Sequence, residues 1–447
     1  MIRLVVSDLS AHARVWFGIL AVTVATGFVA GITAGLIETG LVHGGRVQEG
    51  LASTSSAVIM FTAISAIIVL SSTANLTVAL QQRSYALWQL VGIRPALVAV
   101  VVLAQLGIVG AIGAFLGSLI AIPIFPALFT WAFREWTDMQ GISLHLSAIG
   151  VLVVMMTVTV VAVLGGLRGA RRASRTPPIE ALRDAEPPQV KMGWFRILLT
   201  VLAVGGTITL AGNLDGNATI SAFSGQAVLL TPLIAAALAA SGPLVFPLVL
   251  RAWTSLLPVS ASSSWFLARN SARHRLSYSN AAISPLMVAI ALAGGLYTTA
   301  GTLAAAQAAR TGRSEGFDLA PEGVVILLGG PLLLSAVAAA ATVFMAGHAR
   351  EREFALIQAA GSTHSAITLT AIWEAVIYTV TAALLGTAAT VIGGFIIATA
   401  LLLPMPVVSF AAILMIAGGG LVFILLATIA PTVAALHHEI PRALTIE

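Results

Sequence analysis

The chain contains no cysteine, which rules out disulfides and thiolate-held metals. It contains one lysine, Lys191, against 21 arginines. A nucleotide-binding P-loop requires the pattern GxxxxGK[ST]. Lys191 lies between Val190 and Met192, so the chain carries no Walker A motif, and any ATP chemistry has to come from another polypeptide. Charge of either sign is scarce, at 9% of residues, where soluble domains carry about 25%. So few polar groups leave little from which to build a catalytic constellation, and no enzyme activity or metal centre is expected of this chain. His437-His438-Glu439 is the nearest approach to a ligand cluster, but adjacent histidines do not share a helix face.

What the chain has in abundance is apolar sequence: 58% hydrophobic residues and a mean hydropathy of +1.01. A spanning helix needs roughly 20 apolar residues, whereas barrel strands alternate in segments of about 10. The runs are long and unalternating, so the expected fold is all-α and polytopic. Ten spans are expected, at residues 15–37, 57–80, 95–122, 146–167, 197–211, 227–250, 281–302, 324–347, 367–403 and 408–436. Pro123 and Pro126 are expected to end the third, and Pro232, Pro243 and Pro247 to kink the sixth. Polar amphipathic leads precede the first and seventh spans, at residues 1–14 and 265–278.

Residues 168–196 differ in kind, with Arg168, Arg171, Arg172, Arg175, Arg183, Lys191 and Arg196 interspersed with four prolines. They are the clearest boundary. The expected organisation is a four-span unit at 1–167, a basic linker at 168–196, a two-span hairpin at 197–250 and a second four-span unit at 251–447. With both termini inside, the inner segments hold 18 of the 22 basic residues. The outer loops then hold four basic and eight acidic ones. Excess Lys/Arg in short loops marks the cytoplasmic side. The expected setting is therefore a bacterial cytoplasmic membrane, with termini and linker inside; the +5 net charge reflects topology and not nucleic-acid binding.

One stretch occurs twice. Arg83-Ser84-Tyr85-Ala86-Leu87-Trp88-Gln89-Leu90-Val91-Gly92 follows the second span, and Arg352-Glu353-Phe354-Ala355-Leu356-Ile357-Gln358-Ala359-Ala360-Gly361 follows the eighth. The offset is 269 residues throughout. Helical spacing groups Tyr85, Trp88 and Gly92, and likewise Phe354, Ile357 and Gly361. An aromatic ridge with a flanking Arg can seat in a groove on a soluble partner, and the glycines permit a tight turn into the next span. Gln105 and Glu374 also share the offset, and each lies in an apolar run. An acid such as Glu374 inside a span is a functional candidate by default. The N-terminal lead repeats too, since Ser10-Ala11 and Arg14 match Ser271-Ala272 and Arg275.

The pattern R-x-[YF]-A-L-x-Q-x-x-G after the second span of a four-span unit resembles the FtsX-like permease domain of the MacB-like, or type VII, ABC transporters. Ser84 stands where that family commonly has an acid, and Glu353 fits it; Gln105 and Glu374 match the polar residue near the start of the following span. The resemblance implies that Arg83, Tyr85, Leu87, Trp88 and Gly92, with Arg352, Glu353, Phe354, Leu356 and Gly361, form coupling helices docking on a cytoplasmic ABC ATPase dimer. ATP and Mg would be bound by that partner, with no cofactor in this chain. The layout is similar to bacitracin-resistance permeases, linked to antimicrobial resistance, but only residues 303–323 stand where those carry a large extracellular domain. Extrusion of a hydrophobic or amphipathic peptide, drug or lipid from the bilayer is the expected function. The alternatives are an ion-driven secondary transporter and a non-transporting regulator that relays ATPase motion across the membrane.

Overall fold

The computed structural model describes residues 7–9, 12–134, 136–175, 192–214, 220–258, 262–274, 276–311, 321–349 and 361–436. Those residues form thirteen α-helices, with no β-strand among them. The first repeat supplies α1 (Ala13–His43), α2 (Gly45–Leu80), the short α3 (Gln82–Leu90), α4 (Pro95–Ala132) and α5 (Ala148–Arg175). The middle supplies α6 (Trp194–Gly212), α7 (Ile220–Ala240) and α8 (Gly242–Thr254). The rest are α9 (Ser263–His274), α10 (Leu276–Thr311), α11 (Pro321–Ala349), α12 (His364–Ala400) and α13 (Phe410–Leu436).

Among the described residues nine helices are long and apolar enough to cross a membrane, and the apolar stretch Arg196–Gly212 is a shorter tenth. The chain is a multi-pass, all-α membrane protein. The exposed faces agree with this. α5 presents Ile149, Leu152, Met156 and Leu164 outward, and α13 presents Leu414, Met415, Phe423 and Leu426. Apolar surface of that extent is not stable against water and suits hydrocarbon.

The duplication is visible in helix boundaries. α4 begins at Pro95 and α12 at His364. That pair keeps the 269-residue offset of the motif. Compactness nevertheless divides the chain differently from its sequence order. One unit comprises Met1–Pro188 with Pro321–Ala349, and the other Gln189–Ala320 with Arg350–Glu447. In the first unit α11 packs on α1 and α2, with Leu334, Ala338 and Ala341 entering the cluster of Val22, Ala66, Val69 and Leu70. In the second unit α10 is central, packing on α7, α12 and α13.

Close packing depends on small residues, as the Gly113–Gly117 and Ala382–Gly386 spacings imply. A Cβ at Gly113 would collide with the Thr23 side chain, and one at Gly117 with the Val24 carbonyl of α1. A Cβ at Gly386 would meet Ile290 of α10 at 2.7 Å.

Several expected boundaries are corrected. Residues 38–56 are not a loop: α1 runs to His43 and α2 restarts at Gly45. That stretch has no proline and its Ser, Thr and Ala hydrogen-bond or pack as helix, so only Gly44–Gly45 breaks the pattern. At 31 residues, α1 is about 46 Å long, well beyond a hydrocarbon core of about 30 Å. Pro123 and Pro126 lie inside α4 and do not end it. Each removes one backbone donor, but neighbouring packing sustains membrane helices through proline. Here Phe125, Phe129 and Phe133 make edge-on and tilted ring contacts at 5.9 and 4.8 Å between centroids and hold the last turns against Leu36, Leu51 and Met139. Conversely the sixth span is not merely kinked. It breaks at Ser241 into α7 and α8, with Pro243 in the first turn of α8, a position that needs no intrahelical donor. The basic linker begins as helix, since α5 continues through Arg171 and Arg172; residues 176–191, most of the N-terminal lead and Arg352–Ala360 lie outside the described residues.

Candidate functional site

The first motif copy forms α3 between the long spans α2 and α4. Its exit is a Schellman turn. Gly92 donates to the Gln89 carbonyl and Ile93 to the Trp88 carbonyl, both at 3.0 Å, the pairing that closes a helix on a left-handed residue. Gly92 has φ +98°, and Gly361 in the second copy has φ +93°. The glycine's expected role as a turn is thus present at both positions. In each case a Cβ would meet nothing within 4 Å, so the requirement is for backbone conformation and not for space. After Gly92, Arg94 is extended, as a residue before proline prefers, and Pro95 opens α4. After Gly361, Thr363 occupies the equivalent cap, its side chain accepting from the Ala366 N–H at 3.3 Å.

The aromatic ridge faces inward, which corrects the expectation that Tyr85 would touch a partner. Tyr85 is fully buried among Trp16, Val98, Val102, Ala170 and Ala173. Its ring meets Trp88 edge-on at 5.3 Å, and its hydroxyl donates to the Gln81 side-chain oxygen. Burial, reinforced by the Asp8 carboxylate, pushes the phenol well above its ordinary range, so it stays a neutral donor. Gln89 donates to the Ala173 carbonyl of α5 at 3.1 Å. The opposite face is exposed and carries Arg83, Leu87, Leu90 and Val91. Spacing from Arg83 and Leu87 at i+3 and i+4 is the signal that would have identified Leu90 and Val91, which sequence reasoning missed.

Beneath α3 lies a buried polar link. Gln105 of α4 is fully buried and donates to the Asp8 carboxylate at 2.8 Å. The other Asp8 oxygen is 3.0 Å from His12 Nδ1. Gln105 therefore ties the N-terminal lead to α4 one helix away from the motif. Its counterpart Glu374 is likewise buried, on α12 of the second unit, and has a polar or electrostatic partner. Arg352, Glu353, Phe354 and Leu356 lie outside the described residues. No group of three or more potential metal ligands occurs among the described residues.

A short polar helix clamped by aromatics between long spans, in a duplicated all-α bundle, marks a polytopic membrane protein with an internal repeat. Within it, residues 325–440 match the family described as FtsX-like permease C-terminal. That stretch takes in α11, the second motif copy, α12 and α13. The match supports a membrane permease component of an ABC-type transporter. No curated protein matches the chain.

Proposed function

We propose that this chain is the membrane subunit of an ABC exporter, worked by a separate cytoplasmic ATPase dimer that docks on α3 and on its repeat at Arg352–Gly361. FtsX-like permeases are a non-catalytic class of membrane subunit, in keeping with the missing P-loop lysine. The observation that carries the reading is the two-sided construction of α3. Its inner face locks onto α4 and α5 through Tyr85, Trp88 and Gln89, while its outer face leaves Leu87, Leu90 and Val91 uncovered beside Arg83. A helix built this way passes a push on its outer face to two spans at once. Co-expression with candidate ABC ATPases tests this: a Leu87→Asp variant should lose co-purification and nucleotide turnover. Retention of both by a Leu87→Asp, Leu356→Asp double variant would refute docking.

The proposed cargo is a lipid-partitioning peptide, drug or lipid that enters laterally. α2 and α11, the spans leading into the two motif copies, pack on each other in the first unit, with Ser65 Oγ 3.5 Å from the Pro331 carbonyl and Thr77 Oγ1 3.7 Å from Met345 Sδ. Displacement of either motif would shear this contact. In proteoliposomes with its ATPase, amphiphiles should stimulate turnover. Stimulation by small hydrophilic solutes alone would overturn this route.

A further inference from the structure

The N-terminal leads of the two repeats align at an offset of 261 residues, from Ser10-Ala11 and Ser271-Ala272. That register places Arg269 opposite Asp8 and Arg273 opposite His12. In the first repeat the two positions are an acid and a histidine 3.0 Å apart, with Gln105 bonded to the acid. In the second they are two arginines at i and i+4 on α9, a spacing that puts them on one helix face.

A third basic residue, Arg251, meets them through its backbone at the end of α8. Arg273 donates to the Arg251 carbonyl at 3.1 Å and to Thr254 Oγ1 at 2.7 and 3.1 Å, closing the C-terminal end of α8. Arg273 is held below its ordinary pKa by burial and by the charges of Arg269 and Arg251. Arg269 is only 9% exposed, and its Nε–H is buried with no acceptor. Among the described residues no carboxylate is ion-paired to any of the three. Of the three, Arg269 has a buried donor without a partner, one that an anion would satisfy.

The surroundings indicate which anion. Trp265 is buried in contact with Trp253 and Trp373, at 6.2 and 5.2 Å between centroids. The Trp253 indole donates to Thr381 Oγ1 at 2.9 Å. On the same short helix Phe266 and Leu267 are exposed, so α9 is amphipathic, with apolar side chains beside its guanidinium groups. Tryptophans gather at the headgroup level of bilayers, and basic pockets between spans on the cytoplasmic side bind phosphate headgroups. We propose that Arg251, Arg269 and Arg273, backed by Trp253 and Trp265, form a site for the phosphodiester headgroup of an anionic phospholipid. The occupant neutralises the cluster at the base of the second unit, where Ser264 Oγ bonds the Ala366 carbonyl in the first turn of α12, just after Gly361. At the matching position of the first unit stands Asp8, which would repel the same lipid.

The test is native mass spectrometry of the full chain released from nanodiscs of phosphatidylcholine mixed with phosphatidylglycerol. The wild type should retain phosphatidylglycerol preferentially. Arg251→Gln, on an exposed residue whose loss leaves the fold intact, should reduce that preference on the order of fivefold, the factor a single basic residue contributes near an anionic headgroup. Arg269→Gln should reduce it further, and Arg269→Lys should restore most of it. Equal retention of both lipids by the wild type, or unchanged preference in an Arg251→Gln, Arg269→Gln double variant, overturns the proposal. So does displacement of the lipid by inorganic phosphate, which would assign the cluster to the free anion.

Discussion

Tyr85 and Leu87 are two residues apart on one helix, yet truncating them should damage different properties. Tyr85 is fully buried, edge-on to Trp88 and bonded to Gln81. Replacing a buried aromatic with alanine costs about 3–5 kcal/mol, and the stranded Gln81 oxygen adds about 1–3 kcal/mol. Tyr85→Ala should therefore cost several kcal/mol of stability, read as a large fall in the detergent-solubilised Tm. Leu87 is 46% exposed, Leu90 53% and Val91 86%, so their truncation should leave stability within about 0.5 kcal/mol. Fully burying one such side chain contributes about 1.5–3 kcal/mol, and only the exposed part remains available to a partner. That gives about 1 kcal/mol for Leu87→Ala alone and about 3 kcal/mol for the three together, or roughly a hundredfold in Kd at 1.4 kcal/mol per decade. Thermal unfolding and titration of the ATPase onto nanodisc-embedded permease read the two quantities separately. The reasoning is refuted if Tyr85→Ala keeps the wild-type Tm, or if the Leu87, Leu90, Val91 triple alanine variant binds the ATPase undiminished.

Three further outcomes follow from the same geometry. Gly92→Ala and Gly361→Ala should each lower stability by about 1–2 kcal/mol, the cost of a left-handed backbone for a residue with a Cβ; equal tolerance of Ala in thermal melts would contradict the φ values of +98° and +93°. Gly117→Val should be worse than Val at the unobstructed Gly205, because overpacking costs about 1–3 kcal/mol and the obstruction at Gly117 is the Val24 backbone. The wild type has no cysteine, so Ser174→Cys gives a clean topology probe. It should resist an impermeant thiol reagent in intact cells and react in inverted vesicles, and labelling of intact cells would reverse the proposed orientation.

The all-α polytopic class was legible from composition alone, because hydrocarbon imposes helix on any long unalternating apolar run. The duplication was legible as well: the 269-residue offset of the motif reappears between Pro95 and His364, where α4 and α12 begin. The turn at Gly92 and Gly361 could be read because a left-handed residue is a local requirement, met within one helix end. Helix limits were less legible. Pro123 continues α4 while the proline-containing stretch after Ser241 opens a new helix, and the difference lies in what packs on each and not in proline itself. The face that α3 turns inward was decided only in three dimensions. Helical spacing assigns Tyr85 and Trp88 to one side, but only the positions of Trp16, Val98 and Ala173, drawn from α1, α4 and α5, determine that this side is the core. Likewise nothing along the chain places α11 with α1 and α2. That partner choice depends on matching small residues across a helix contact, such as Gly330 against Val29 and Thr62, and complementarity between two surfaces exists only once both are folded.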